Sequence, residues 1–148
     1  EVETGAERLE GYTEAMRAAG LVPFSLGGGF RADAAQVAVS ELLALPKPPT
    51  ALVVANNLMT LGTLRAAREA NVEIPGRLAL VAFDDPPWAE LVEPPLTTLA
   101  QSVRRMASAA MQLALERVEQ DRAEARRIVL PLDFRVRRSC GARGGDAG

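Results

Sequence analysis

The sequence predicts an α/β fold built on an open parallel sheet. Two short apolar runs, Ala51–Ala55 and Leu78–Phe83, each stop abruptly at paired polar residues, Asn56-Asn57 and Asp84-Asp85. A helical pattern lies between the two runs. From Thr4 to Phe83 the order reads helix, strand, helix, strand, helix, strand, the alternation expected of a sheet with crossover helices. Hydrophobic residues make up 48% of the 148, which suits one domain with a real core rather than a disordered chain.

Each element has a local reason. Thr4-Gly5-Ala6-Glu7 fits a capping box, with a hydroxyl followed three residues later by a carboxylate. Leu9, Tyr12, Met16 and Ala19 continue at helical spacing, and Gly20 is placed to end the helix in the left-handed conformation. Leu21–Leu26 reads as a short apolar strand closed by Gly27-Gly28-Gly29 and Phe30. A helix from about Ala32 to Leu45 carries an apolar stripe of Ala35, Ala38, Val39, Leu42 and Leu45. Pro46-Lys47-Pro48-Pro49 stops it, because proline lacks the amide and restricts its predecessor. Ala51–Ala55 is continuously apolar, as in a strand covered on both faces.

Asn57 is placed to cap a helix over Leu58–Ala70, with Asn71 at its end. Ile74-Pro75-Gly76 then turns into strand Leu78–Phe83. Residues 84–96 form a loop with Trp88 and four prolines. Thr97–Gln101 reads as extended. Ser102 can cap a long helix to about Gln120, with Val103, Met106, Ala110, Leu113 and Arg117 along one line. Such a stripe invites association, so the helix is expected to pack on another copy or fold back onto its own sheet. Arg127–Phe134 reads as a last strand, and residues 141–148, with four glycines, as a flexible tail.

Composition removes several function classes. There is no histidine, hence no Ser-His-Asp triad and no histidine metal site. The single cysteine, Cys140, allows neither an internal disulfide nor a cysteine zinc cluster. A net charge of −2 supplies no general attraction to nucleic acid or anionic membrane. No apolar run approaches the ~20 residues that span a bilayer. No signal peptide is visible at the start, so a cytoplasmic location is the default expectation. No activated nucleophile can be named, so the chain is not expected to be an enzyme, and no cofactor is expected.

If the strands are parallel neighbours, Gly27–Phe30, Asn56-Asn57 and Asp84-Asp85 share the crevice edge. Carboxylates and carboxamides there can bond ligand hydroxyls and amines. Phe30 offers an apolar face, and Arg8, on the first helical turn, a planar fork for ligand oxygens. Each has a plainer alternative. Asn57 can be only a helix cap, the Asp-Asp pair only a turn, Phe30 only core, and Arg8 only a partner of Glu7, Glu3 or solvent. Adjacent carboxylates on a strand diverge, which argues against paired-carboxylate catalysis. Gly27–Gly29 lacks the spacing of a phosphate loop. Arg135, Arg137, Arg138 and Arg143 read as a solvated basic surface without interleaved aromatics.

The chain resembles the LacI/GalR family of bacterial transcriptional regulators from Thr4 to Cys140. The residues that carry the resemblance are Glu7-Arg8-x-x-Gly11-Tyr12, Pro49-Thr50-Ala51, Ala55-Asn56-Asn57-x-Met59-x-x-Gly62, and Ile74-Pro75. They continue through Ala82-Phe83-Asp84-Asp85, Pro94-Pro95-Leu96-Thr97-Thr98-Leu99 with Gln101, and Arg138-Ser139-Cys140. The resemblance implies a periplasmic-binding-protein-like (type I) lobe, truncated at its N-terminus, that senses a small effector of sugar or nucleobase type. It implies a homodimer, and operator DNA bound only through a headpiece outside this chain. Carried over by position, Arg8, Asn56 and Asp84 look like effector hydrogen-bonding residues and Phe30 like the aromatic wall. Thr4, Asn57 and Val103 are further candidates. Asn57 stands where many members carry aspartate, which removes one charge from a polyol-binding pattern. By the family pattern residues 1–96 belong to the C-terminal lobe, 97–121 to a crossover into the other lobe, and 122–140 to the returning strand. A periplasmic sugar-binding protein of the same fold is the alternative expectation.

Overall fold

The computed structural model describes residues 3–120 and 125–142. The helices are α1 (Glu3–Ala18), α2 (Ala32–Leu43), α3 (Asn57–Glu69) and α4 (Val103–Gln120). The strands are β1 (Ala51–Val54), β2 (Ala79–Phe83), β3 (Thr97–Ala100) and β4 (Asp133–Arg135), in the order β1-β2-β3-β4. β1, β2 and β3 run parallel, as the α/β pattern predicts. β4 is antiparallel to β3, an edge strand of the kind often added to a parallel sheet.

Register sorts the side chains onto two faces. Leu52, Val54, Leu80, Ala82 and Thr98 share one face. Val54, Leu80, Ala89 and Leu96 form its core, with Leu52, Met59, Leu64, Ile74, Trp88 and Val92 packed against them. The prediction that β1 is covered on both faces is corrected. Val53, on the other face, is 52% exposed, because among the described elements neither α1 nor α4 lies across it.

α2 packs on α3 rather than on the sheet. Its predicted stripe is partly realised: Ala35, Val39 and Leu42 are buried, whereas Leu45 lies beyond the helix end and is exposed. The helices meet at Gly62, where an added Cβ would run into the Ala32 carbonyl oxygen and lie 2.9 Å from the Gln36 nitrogen. At the end of α1, Gly20 has φ +71. Its N–H donates to the Arg17 carbonyl at 2.9 Å, and that of Leu21 to Met16 at 2.9 Å, as the predicted left-handed stop requires.

Several expected elements differ. Thr4 lies inside α1, which already runs at Glu3, and Glu7 pairs with Arg127 instead of closing a capping box. Leu21–Leu26 is not a strand. Among the described residues no neighbouring strand offers it a ladder and its Phe24 backbone bonds only the Tyr12 hydroxyl, and Val22 is 87% exposed. The last strand is Asp133–Arg135 rather than Arg127–Phe134, because only those residues have β3 opposite them. α4 does not fold back onto the sheet; Val103, Met106, Met111, Leu115 and Val118 stay exposed. Of the predicted tail, residues 143–148 lie outside the described residues.

The C-terminal segment is fastened by buried polar bonds. The fully buried Ser139 hydroxyl donates to the Leu80 carbonyl at 2.6 Å and accepts the Thr97 N–H at 2.8 Å. Arg137 donates to both carboxylate oxygens of Asp85, at 2.6 and 3.2 Å. Asp85 also accepts the Thr98 hydroxyl at 2.8 Å and pairs with Arg135. The predicted solvated basic surface is therefore wrong for Arg137, whose side chain is only 15% exposed. Arg138 does sit on the surface, paired with Glu93, and Arg143 lies outside the described residues. The Arg137 hydrogen bond holds the Asp85 carboxyl below its usual range, opposed by desolvation and helped by Thr98 and the charges of Arg137 and Arg135.

Two stability predictions follow from this packing. Gly62→Ala gains about 1 kcal/mol of helix propensity but forces α2 backbone to move, which typically costs about 1–3 kcal/mol. Urea unfolding is expected to show a net loss; an unchanged midpoint would mean that α2 shifts freely. For Asp85 the folded-state pKa is lowered, so its contribution is complete above the unfolded value near ~4 and is lost as pH falls through the folded value. Wild type should therefore lose more stability than Asp85→Asn between about pH 6 and about pH 3. Parallel losses in urea melts at the two pH values would contradict this.

Candidate functional site

The parallel register delivers the residues after β1, β2 and β3 to one edge of the sheet. After β2, Asp84 takes a left-handed backbone, φ +70, a conformation aspartate tolerates better than most residues. Its N–H continues the ladder to the Leu99 carbonyl at 3.0 Å. One carboxylate oxygen accepts the Gln101 carboxamide N–H at 2.6 Å and the other the Asn57 backbone N–H at 3.3 Å. Asn57 opens α3, so Asp84 sits at a helix N-terminus, where a negative charge is favoured.

Asn56, rather than the predicted Asn57, caps α3. Its Oδ1 accepts the Met59 N–H at 2.8 Å, with extended backbone at φ −162. This geometry needs a residue just outside the helix, and the helix starts one residue earlier than the sequence suggested. The Asn56 Nδ2 reaches the Phe30 carbonyl at 3.4 Å, a long bond that leaves donor capacity. Asn57 is exposed, and its backbone N–H is what engages Asp84.

Arg8 reaches from α1 to the end of β1, donating to the Ala55 carbonyl oxygen. Its guanidinium lies over the Phe83 ring, 4.5 Å from the centroid, an attractive cation–π arrangement. It does not pair with Glu7, which goes to Arg127. Phe30 is half-buried, with its ring against α1 at Gly5, where an added Cβ would lie 2.7 Å from Cζ. Thr4, one turn before Arg8, shares its helix face. Backbone and side-chain bonds thus link the neighbourhoods of Arg8, Phe30, Asn56 and Asp84. Val103 is 75% exposed and is tied to this edge only by its N–H, which donates to the Gln101 carbonyl at 3.1 Å.

Chemically, this edge presents a carboxylate, a guanidinium, a carboxamide and an aromatic ring, which suits hydroxyl- or amine-bearing polar ligands. Among the described residues no cluster of acidic or cysteine side chains could hold a metal ion, and no helix is long and apolar enough to cross a membrane. Asp84 and Asp85 diverge, Asp84 to Gln101 and Asn57, Asp85 to Arg137 and Thr98. Sequence reasoning missed the contact of Gln101 with Asp84 and the inward role of Arg137. The signal for Gln101 was its place immediately after a strand tip. Arg137, in a run of arginines, carried none.

The model of the periplasmic binding protein-like domain matches residues 1–140. The chain is 34% identical over 125 residues to the HTH-type transcriptional repressor PurR of Vibrio cholerae, covering 82% of this chain and 37% of that protein. It is similar to the structure of a transcriptional regulator CelR–cellobiose complex, with TM-score 0.82 and 35% identity over 91% of this chain and 42% of the other. It is also similar to the lac repressor dimer bound to operator and the anti-inducer ONPF, with TM-score 0.83 and 26% identity over 94% of this chain and 42% of the other. The chain therefore spans less than half the length of these relatives. By sequence and by structural likeness the chain belongs to the periplasmic binding protein-like domain family, in the form carried by the LacI/GalR transcriptional regulators.

Proposed function

We propose that the chain is the effector-sensing part of a LacI/GalR-type regulator, binding a small polar ligand of sugar or nucleobase type that modulates operator affinity. One observation carries this reading. Asp84 and Arg8 lie at the same sheet edge, yet each is held by neutral partners. The carboxylate faces two amide N–H groups, and the guanidinium faces a carbonyl and a ring. Both therefore keep charge-assisted hydrogen-bonding capacity for a ligand. Asn56 supplies a further donor and Phe30 an apolar wall, with Thr4, Asn57 and Val103 at the rim.

In this reading residues 1–100 and 122–140 form one lobe, because β3 (Thr97–Ala100) pairs within its sheet instead of leaving it at residue 97, and α4 leads to a second lobe. Operator DNA is met by a headpiece, the regulator works as a homodimer in the cytoplasm, and the chain catalyses no reaction. The relatives support regulation over transport, since those compared are repressors or transcriptional regulators. The cellobiose complex of a relative makes cellobiose the first ligand to try.

Calorimetric titration of the protein with cellobiose, ribose and adenosine is expected to find one ligand that binds. Asp84→Ala and Arg8→Ala should each weaken that binding by on the order of tenfold or more, the usual penalty for losing a hydrogen bond to a charged group. Wild-type affinity in both variants would rule out the site.

A further inference from the structure

Asp84 holds a backbone conformation that non-glycine residues rarely adopt, and its own side-chain bonds do not explain why. The explanation lies one residue on. Asp85 has a carboxylate only 8% exposed, and Arg137 lies against it. Arg137 Nη1 also donates to the Leu96 carbonyl at 2.7 Å and Nη2 to Glu90 Oε1 at 2.7 Å. Asp85, Glu90 and Leu96 are the start, middle and end of the loop that follows Asp84. One planar guanidinium therefore clamps the whole loop. Arg137 is itself fixed, because its N–H and carbonyl both bond the Thr97 hydroxyl at 2.9 Å. Two residues later Ser139 bridges Thr97 and Leu80.

We infer that Arg137 and Asp85 are positioning residues for the candidate ligand site: their pair fixes the left-handed Asp84 backbone and so aims its carboxylate at the Gln101 and Asn57 amides. The inference rests on the Asp84 role proposed above. A lysine at 137 keeps the charge but offers one nitrogen: it can replace Nη1, which holds Asp85 and the Leu96 carbonyl, but not Nη2, which holds the second Asp85 oxygen and Glu90 in the middle of the loop. Glutamine removes the charge as well. Arg138, whose pair with Glu93 is exposed, is the matched control.

The test is NMR of the labelled 148-residue chain, reading the Asp84 HN–Hα coupling, which reports φ, and its carboxyl shift. In Arg137→Gln and Asp85→Asn both signals should move while the methyl signals of Leu80 and Val54 stay native. Arg137→Lys should move them less, and Arg138→Gln not at all. Unchanged Asp84 signals in folded Arg137→Gln, or in Asp85→Asn and Arg137→Lys if the glutamine variant does not fold, would overturn the inference. A merely structural role would lower the unfolding midpoint without moving these signals in the folded state.

A second arm titrates wild type, Arg137→Gln and Arg138→Gln with cellobiose, ribose and adenosine, read by Trp88, the single tryptophan. Affinity should fall by on the order of tenfold in Arg137→Gln alone. If wild type binds none of the three, the ligand reading fails for them, while the coupling measurement still decides the positioning role.

Discussion

Pairing β1 with β2 and β2 with β3 in the same direction forces three carboxyl ends to one edge, and the chemistry at that edge depends on their common level. Val54, Ala82 and Thr98 form one rung. Asn56, Asp84 and Gln101 lie two or three residues beyond it, so their side chains leave the sheet together. A slip of one residue would exchange the faces. Phe83 would then leave the side on which Arg8 covers it, and Leu80 and Ala82 would leave the core. Burial of one face thus fixes the register, and the register assembles the candidate site. The core is a condition of the chemistry rather than a support built beside it.

The parts of this arrangement that were legible in the sequence are those written in local periodicity and punctuation. Ala51–Ala55 and Leu78–Phe83 are short apolar runs bounded by polar pairs, and both carry strands. Gly20 and Asn71 end helices because they tolerate positive φ, and both show it. Ser102 caps α4 as expected, its hydroxyl accepting the Arg105 N–H at 3.3 Å. The strand reading put Phe30 at the same edge as Asn56 and Asp84 through a strand the structure does not form, and the resemblance joined Arg8 to them as an effector-binding residue; no local signal shows that link, because 47 residues separate Arg8 from the carbonyl it bonds.

What was not legible is what depends on a neighbour. Leu21–Leu26 has strand composition, but a strand is a pairing and not a composition. Among the described residues no ladder lies beside it. Residues 127–132 fail for the same reason, whereas Asp133–Arg135 succeed because β3 lies opposite. Arg137 is the side-chain version of this limit. Four arginines close together read as solvated surface, yet one turns inward because Asp85, Thr98, Leu96 and Glu90 supply acceptors for its fork. Burial of that charge is tolerable only with such partners, and they come from segments about 40–50 residues away in the chain.

A ligand changes a conformational equilibrium only through contacts that differ between the two states. At this edge the contact best placed to differ is the one between Gln101 and Asp84. Gln101 occupies one carboxylate oxygen at 2.6 Å. A ligand hydroxyl bonding that oxygen must share it with the carboxamide or displace it. Only Ser102 separates Gln101 from the first residue of α4, and Ser102 caps that helix through both its hydroxyl and its carbonyl. On the proposed ligand reading, displacement of Gln101 would act beside Ser102, the residue that caps α4 where it leaves the sheet. The helix makes few contacts with the rest of the described structure and keeps its apolar side chains exposed, so little packing resists a change in its direction. The linkage needs no long chain of contacts. Coupling between sites is typically about 1–3 kcal/mol, and a hydrogen bond to a charged group contributes about 1.5–3 kcal/mol. The Gln101 bond is of the size such a coupling needs, and the coupling it could carry is its contribution less that of the bond replacing it.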